Sequence, residues 1–287
     1  MLPFSYHRPG TLAEVIALDA QGEGVRLLAG GTDLTVGLRH GSISARSVID
    51  LKRVAELQPE IAVTDKAIRV SATVTMTRLV AHPQVAALFP ALVEAAVVVG
   101  SRQIRNRATL AGNICNASPA ADTVPVLALH DASVCIYGPM GERVVTVVDF
   151  VQGNRKIDLA RGELVTAVLL PIPQGPEGAA FDRITRRRGV DLATVNLCCR
   201  IDAAGRLRLA IGAAAPRPLV VDDADGGWSG AETPADLALA LEGLLQVATP
   251  ISDVRATAGY RMGMLKVLAE RTRARAQERF EQWGQHV

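Results

Sequence analysis

The chain has 287 residues, of which 49% are hydrophobic, and this is enough apolar material for one large core or two smaller ones. Its net charge of +2 is too small for the basic footprint of a nucleic-acid-binding protein. Aromatic residues, which would stack on bases, make up only 3% of the chain. Composition therefore favours a globular protein that binds no nucleic acid.

The sequence shows no sign of membrane insertion or secretion. No apolar stretch has the length of a membrane-spanning helix, and the first residues lack the basic and then apolar pattern of a signal peptide. We therefore expect a soluble, cytoplasmic chain without a transmembrane segment.

Residues 1–54 are predicted to form a first, small subdomain of β-α-β type. A capped helix precedes two apolar strands, at Arg26 to Ala29 and at Ser47 to Asp50, and a helix is expected between the strands. A Gly-Gly turn follows the first strand and connects it to that helix.

This turn has the residues of an anion-binding loop. Gly30 and Gly31 allow positive φ and bring backbone N–H groups against an anion, and Thr32 can add a hydroxyl. Neither a dinucleotide fingerprint with three spaced glycines nor a phosphate loop of the Walker type is present. A nucleotide would therefore bind in a mode that differs from that of a Rossmann fold.

Residues 55–173 are predicted to form a second subdomain, and its distinctive feature is the segment Val99 to Leu129. The segment reads as a long loop of Gly, Asn, Ser, Thr and Pro between two apolar runs. Loops of this length are usually binding loops or disordered, and the apolar residues inside this one argue against disorder. We expect it to bind a ligand.

The polar groups of this segment suit a nucleotide. Gly112 permits close backbone approach, Asn113, Asn116 and Ser118 are neutral hydrogen-bonding groups, and Asp122 is the single acid, at the start of the next helix. Amide, hydroxyl and carboxylate groups suit sugar hydroxyls, while backbone N–H groups suit a phosphate. The competing interpretation is an ordinary loop in which Asp122 serves only as a helix N-cap.

Residues 174–287 are predicted to form a C-terminal domain that begins with a Pro- and Gly-containing linker at Gln174 to Glu177. Three strands of an antiparallel sheet are predicted at Ala180 to Arg186, Thr194 to Asp202 and Arg206 to Ala214. Two helices are predicted at Pro234 to Val247 and Val254 to Phe280.

The cysteines and histidines do not predict a metal site. The four cysteines lack the paired spacings of zinc or iron–sulfur ligands, and the five histidines are scattered along the chain. We expect the thiols to be core residues. Cys115 is the exception, because it lies inside the binding segment. No catalytic residue is predicted.

Two stretches together carry a family resemblance. They are L-L-A-G-G-T-D-L at Leu27 to Leu34 and I-R-N-R-A-T-L-A-G-N-I-C-N-A-S-P-A-A-D at Ile104 to Asp122. In this order and separation they resemble the FAD-binding medium subunit of the molybdenum hydroxylases, the family of xanthine dehydrogenase and CO dehydrogenase. The resemblance covers essentially the whole chain. It implies an α+β fold: a two-part FAD-binding domain of the vanillyl-alcohol-oxidase/PCMH type, followed by a small domain with a three-stranded antiparallel sheet and helices.

The resemblance also implies a set of cofactor-binding residues. The first stretch would wrap the FAD pyrophosphate, and the second would complete the pocket around the ribityl and flavin parts. The implied FAD-binding residues are Leu28, Ala29, Gly30, Gly31, Thr32, Asp33, Leu34, Ile104, Thr109, Ala111, Gly112, Asn113, Ser118, Asp122, Leu164 and Arg183.

Arg183 departs from the pattern of the family. Relatives place a lysine one or two residues after an aromatic in this strand, whereas here Phe181 is followed by Asp182 and Arg183. Arg183 and the arginines at 186–188 are either exposed charges of an edge strand or, for Arg183, a cation that stabilises the anionic reduced flavin. Leu164 matches a family position that packs against the flavin.

The resemblance implies a function in electron transfer, and the sequence itself offers no acid, base and nucleophile that could transform a substrate. A large molybdopterin subunit with molybdenum cofactor would hydroxylate an N-heterocycle, an aldehyde or a similar substrate. A small iron–sulfur subunit with two [2Fe-2S] clusters would relay the electrons, and the FAD of this chain would pass them to NAD, oxygen or another external acceptor. The expected assembly is a dimer of heterotrimers.

Two other functions compete with this one. A self-contained flavin oxidase or dehydrogenase could use the same FAD-binding fold, but such proteins normally have a larger substrate domain than the C-terminal residues provide. A non-catalytic scaffold would have degenerate motifs, whereas both motifs are intact here. The substrate of the complex is not encoded in this chain.

Overall fold

A computed structural model describes residues 2–20, 22–223, 227–228, 231 and 233–283. Within these residues, none of the helices combines the length and the apolar character needed to cross a membrane.

The first unit is the predicted β-α-β arrangement with an additional strand. Its elements are β1 (Ser5–His7), α1 (Leu12–Asp19), β2 (Val25–Leu28), α2 (Leu34–His40) and β3 (Ser47–Asp50). The three strands form a parallel sheet in the order β1-β3-β2. Because all three strands run in the same direction, β2 and β3 both end at the edge where the Gly-Gly turn lies.

The second unit begins with two short 3-10 helices and contains a five-stranded antiparallel sheet in the order β4-β5-β10-β6-β7. Its strands are β4 (Ile61–Val63), β5 (Ala67–Ser71), β6 (Ser133–Gly138), β7 (Gly141–Thr146) and β10 (Leu164–Pro171). The small hairpin of β8 (Val151–Gly153) and β9 (Lys156–Ile157) follows α9 (Val147–Phe150). Three helices, α3 (Met76–Val80), α4 (Pro83–Leu88) and α5 (Pro90–Val97), follow β5.

The segment Val99 to Leu129 is more helical than predicted. It contains α6 (Arg102–Arg105) and α7 (Leu110–Asn116) where a loop was predicted, and then α8 (Thr123–Leu129), the helix expected to start at Asp122. Ser101 and Thr109 cap the first two of these helices, each accepting a hydrogen bond from the backbone N–H three residues on. The prediction of a loop was wrong because short helices depend on such caps more than on helix propensity.

The C-terminal unit has a sheet of four antiparallel strands, and the prediction of three strands was one short. The strands are β11 (Gly178–Ile184), β12 (Val195–Ile201), β13 (Leu207–Gly212) and β14 (Leu219–Asp222), in that order. Two helices complete the unit, α10 (Pro234–Leu245) and α11 (Ala258–Glu281). The additional strand, β14, is an edge strand of four residues that directly follows a proline, and so its sequence pattern is weak.

The C-terminal sheet is buried on both faces. Adjacent residues of a strand point to opposite faces, and this separates Cys198 from Cys199. Cys198 packs into the core of the second unit together with Phe181, whereas Cys199 packs into a second core with α10 and α11. Both thiols are core residues as predicted, while Cys115 and Cys135 are partly exposed.

Gly178 fixes how closely β11 approaches α11. A Cβ atom at this position would meet the backbone of Ala276 and Phe280 in α11 at under 3.0 Å. Gly243, in α10, has no atom within 4 Å of its would-be Cβ and is a matched control.

We predict that Gly178→Ala lowers the free energy of unfolding by about 2 kcal/mol, because two backbone segments would have to separate. Gly243→Ala should raise it by about 0.5 kcal/mol through helix propensity. Urea denaturation followed by circular dichroism measures both changes, and equal effects of the two variants would contradict the close packing of β11 on α11.

Candidate functional site

A cavity of about 730 Å³ lies where the first two units and the C-terminal unit meet. This volume is in the range of small-molecule and cofactor sites. Fifteen of the sixteen residues predicted to bind FAD line it: Ala29, Gly30, Gly31, Thr32, Asp33, Leu34, Ile104, Thr109, Ala111, Gly112, Asn113, Ser118, Asp122, Leu164 and Arg183. Leu28 does not line the cavity. Its side chain lies beneath the turn, where a Cβ added to Gly31 would touch it.

Gly30 joins the two predicted binding stretches through their backbones. A Cβ atom at Gly30 would fall well inside 3.0 Å of the Arg107 carbonyl oxygen, so only glycine fits here. The next residue, Gly31, has φ of +77°, a conformation that favours glycine. The two adjacent glycines therefore meet separate requirements: close approach of two backbones, and a left-handed turn.

The Gly-Gly turn presents a row of unpaired backbone donors. Among the described residues, the N–H groups of Gly30, Gly31, Thr32 and Asp33 have no hydrogen-bond acceptor. Asp33, which precedes α2, makes no side-chain cap either. Successive free amides of this kind form a concave anion site, and a bound phosphate would supply the missing acceptors.

Helix α7 forms the wall of the cavity contributed by the second stretch. Thr109 Oγ1 accepts a hydrogen bond of 3.0 Å from the N–H of Gly112, whose own surface is exposed to the cavity. Asn113 Oδ1 accepts a hydrogen bond of 2.7 Å from Thr123, and this bond fixes the amide side chain. Ser118 and Ile104 extend the wall with a hydroxyl and an apolar surface. This side of the cavity is neutral and partly polar.

A buried ion pair lies at the end of the cavity nearest the C-terminal sheet. Arg183 Nη1 donates to Asp122 Oδ2 at 2.7 Å, and Asn196 Nδ2 donates to Asp122 Oδ1 at 3.2 Å. Asp122 makes no N-cap hydrogen bond to α8, so the interpretation of this residue as only an N-cap is wrong. Burial raises the pKa of Asp122 to about 6, although Arg183 and Asn196 pull it down.

Arg183 differs from the arginines that follow it. Its side chain is 12% exposed and paired with Asp122, so it places a cation at the cavity. Arg186 and Arg187 are largely exposed and lie within 4 Å of Asp191 in the loop between β11 and β12. Those two behave as exposed charges of a hairpin loop, the first of the two interpretations. Leu164 is 1% exposed and belongs to the core of the first unit as well as to the cavity lining.

Sequence reasoning missed several lining residues, of which Arg155 is the most distinctive. It lies in the β8–β9 turn with φ of +58°, and its N–H donates to the Ala117 carbonyl at 2.9 Å. Its guanidinium donates to Asn116 Oδ1. The Gly-Asn dipeptide before Arg155 signals a turn, but nothing in the local sequence places that turn beside α7. Asp191 and Leu192, from the β11–β12 loop, were also missed.

The cavity has the groups to bind an extended nucleotide and lacks those of a reacting centre. Burial raises the pKa of the lining thiol Cys115 to about 12, so it is not a thiolate near neutral pH. No cluster of His, Cys, Asp and Glu in the described part of the chain could hold a metal ion. Free amides, neutral polar groups, an apolar wall and one Asp–Arg pair fit the phosphates, sugar and ring of a dinucleotide.

The raised pKa of Asp122 predicts a pH dependence of stability. Between about pH 4 and pH 6 the folded chain holds a proton on Asp122 that the unfolded chain has released, so stability falls as the pH rises through this window. The free energy of unfolding of the wild type relative to Asp122→Asn should therefore fall by up to about 3 kcal/mol across it and stay constant above.

Urea denaturation at steps from pH 4 to pH 7 measures this difference, with the exposed Asp65→Asn as the control that should run parallel to the wild type. If the free energy of unfolding of the wild type relative to Asp122→Asn rises with pH, the attraction of Arg183 lowers the pKa of Asp122 by more than burial raises it.

Comparison with known proteins assigns the chain to a family. Residues 2–173 match the family model for the FAD-binding domain in molybdopterin dehydrogenase, and residues 179–276 match that for the CO dehydrogenase flavoprotein C-terminal domain. The chain is 34% identical over 274 residues to the xanthine dehydrogenase FAD-binding subunit of Escherichia coli O157:H7, covering 93% of this chain and 94% of the relative. It is 29% identical to the carbon monoxide dehydrogenase medium chain of Afipia carboxidovorans, covering 97% and 99%.

Solved structures of similar proteins agree with this assignment. Carbon monoxide dehydrogenase from Hydrogenophaga pseudoflava superimposes with a TM-score of 0.90 at 28% identity, covering 97% of this chain and 99% of that one. Quinoline 2-oxidoreductase from Pseudomonas putida 86 gives a TM-score of 0.89 at 29% identity with the same coverage. The expected α+β fold, an FAD-binding domain followed by a C-terminal flavoprotein domain, is confirmed. The chain belongs to the FAD-binding medium subunits of the molybdenum hydroxylases, the oxidoreductase family of the xanthine and carbon monoxide dehydrogenases.

Proposed function

We propose that this chain is the electron-transfer subunit of a heteromeric molybdenum hydroxylase and holds its FAD in the cavity of about 730 Å³. The observation that carries the proposal is that both sequence motifs, from separate units of the fold, line this one cavity together with the Asp122–Arg183 pair. FAD, when bound, exchanges electrons with one-electron and two-electron carriers alike.

The residues around the cavity divide into three groups by the part of FAD they would contact. The free N–H groups from Gly30 to Asp33 would receive the pyrophosphate, with Leu28, Ala29 and Leu34 supporting the turn. The wall from α6 and α7 would contact the ribityl and flavin parts through Ile104, Thr109, Ala111, Gly112, Asn113 and Ser118. Asp122, Leu164 and Arg183 would enclose the flavin ring. Arg183 would supply positive charge there, in place of the lysine of relatives.

The chain itself would bind and orient FAD, without transforming a substrate. It would receive electrons from a small iron–sulfur subunit with two [2Fe-2S] clusters and deliver them to NAD, oxygen or another acceptor. A large molybdopterin subunit would carry out the hydroxylation of an N-heterocycle, an aldehyde or a similar substrate. We further propose a dimer of such heterotrimers in the cytoplasm, and a chain divided at 1–54, 55–173 and 174–287.

The alternative, a self-contained flavin oxidase, is less well supported. The relatives that this chain matches over 94–99% of their length are named as a subunit or a medium chain. In the described part of the chain, the C-terminal unit has no free sheet face that could bind a substrate. One face of its sheet is buried against the second unit and the other against α10 and α11. These features leave little room for a substrate domain and favour a role inside a complex.

Purification of the complex through a tag on this chain, from its native host, tests the proposal. We expect two further chains, one molecule of FAD per copy of this chain, iron–sulfur absorbance and molybdenum. Flavin on a single chain without metals would instead establish a self-contained flavoenzyme, and purified complex without flavin would refute the assignment of the cavity.

We predict that Gly112→Leu reduces the FAD content of the purified protein at least tenfold, because the leucine side chain would enter the cavity. The chain should stay folded, since the only atom that a Cβ at Gly112 would displace is the Thr109 hydroxyl at 2.8 Å, the end of a rotatable side chain. The matched control is Gly243→Leu, another helical glycine with open surroundings. Flavin extraction and circular dichroism measure both variants, and normal FAD content in Gly112→Leu would remove the α7 wall from the site.

A further inference from the structure

We propose that Lys52 is a positioning residue that orients the Gly-Gly turn for the FAD pyrophosphate, and that Asp50 and Tyr6 hold Lys52 in place. None of these three residues lines the cavity, and Lys52 contacts the turn through the carbonyl oxygen of Ala29. The inference rests on the proposed function, since it assumes that the turn receives a pyrophosphate.

Asp50 is the centre of this arrangement. It is the last residue of β3 and its side chain is 2% exposed. Its carboxylate accepts hydrogen bonds from the Tyr6 hydroxyl and from the Lys52 backbone N–H at 3.1 Å, and Lys52 Nζ lies 2.6 Å from Oδ1. Desolvation raises the pKa of Asp50, but the bonds from Lys52 and Tyr6 outweigh it and hold this pKa below the usual value. Asp50 is therefore a fixed anion at the edge of the sheet.

Lys52 links this anion to the turn. Its Nζ also donates to the carbonyl oxygen of Ala29 in a long hydrogen bond of 3.4 Å. Ala29 is the residue directly before Gly30, so the bonded carbonyl belongs to the peptide that carries the Gly30 N–H. In a planar trans peptide the carbonyl and the N–H point in opposite directions. When Lys52 holds the carbonyl from behind, the N–H of Gly30 is turned away from Lys52.

The residue that carries this N–H borders the cavity. Gly30 lines the cavity and Lys52 does not, and the Gly30 N–H has no acceptor among the described residues. Gly30 is further held from the side by its close approach to the Arg107 backbone. The peptide thus has one free hydrogen-bonding group, and the contact with Lys52 determines where it points.

Tyr6 extends the arrangement to the first strand of the chain. Its ring is half exposed, so burial alone does not explain its position. The hydroxyl donates to Asp50, and β1, which carries Tyr6, pairs with β3, which ends at Asp50. This hydrogen bond is also the main reason why the pKa of Tyr6 is raised. Tyr6 therefore occupies one acceptor position of Asp50 and leaves the other for Lys52.

The experiment measures release of FAD from the purified complex, followed by flavin fluorescence on dilution, to obtain the dissociation constant of each variant. Lys52→Met keeps the aliphatic stem and removes the ammonium group. We expect it to weaken FAD binding about tenfold, and Tyr6→Phe to weaken it about threefold. Lys52→Arg, which can donate to both partners, should restore affinity to within about threefold of the wild type. Lys66→Met, at an exposed lysine with no side-chain hydrogen bond among the described residues, should leave it unchanged.

The unfolding temperature of the flavin-free protein separates positioning from simple support of the fold. Lys52→Met should lower this temperature, because the buried carboxylate of Asp50 loses its counterion, and should lower that of the FAD-loaded protein by more. An equal fall in both temperatures with an unchanged dissociation constant would overturn the proposal, and so would failure of Lys52→Arg to recover affinity. A wild-type complex without FAD would instead refute the proposed function itself.

Discussion

The contact between the backbones of Gly30 and Arg107 brings the two halves of the cavity together. Gly30 lies in the turn that follows β2 of the first unit, and Arg107 lies between α6 and α7 of the second. A side chain at Gly30 would meet a carbonyl oxygen that cannot move without shifting the start of α7. The turn with free N–H groups and the wall with neutral polar groups therefore have a fixed relation, which an extended ligand spanning both requires.

The Asp122–Arg183 pair plays the corresponding role at the other end of the cavity. It ties the start of α8 to the edge strand of the C-terminal sheet, across 61 positions of sequence. A buried ion pair of this kind is weak support for stability, because both charges lose water. Its hydrogen bond with Asn196 and its place in the cavity lining give a better reason for its presence: it fixes the position of a cation at this end of the cavity.

Much of the cavity could be predicted from the sequence because its chemistry is local. Adjacent glycines and a run of small polar residues indicate backbone approach and hydrogen bonding wherever they occur, and the order of the two motifs indicates the family. Contacts between segments that are distant in the sequence could not be predicted in this way. The position of Arg155 depends on a hairpin packing beside α7, and the position of Lys52 depends on the end of β3 lying beneath the turn. The helices α6 and α7 and the strand β14 were missed because each is short and is defined by caps or edge pairing.

The FAD-binding role of the cavity is tested most directly by the position of the dinucleotide, which an electron-microscopy map of the purified complex shows. We predict density for one FAD per copy of this chain, with its pyrophosphate against the N–H groups of Gly30 to Asp33 and its flavin ring at the end near Asp122 and Arg183. A map that shows the cavity without a dinucleotide, or the pyrophosphate away from the Gly-Gly turn, would contradict it.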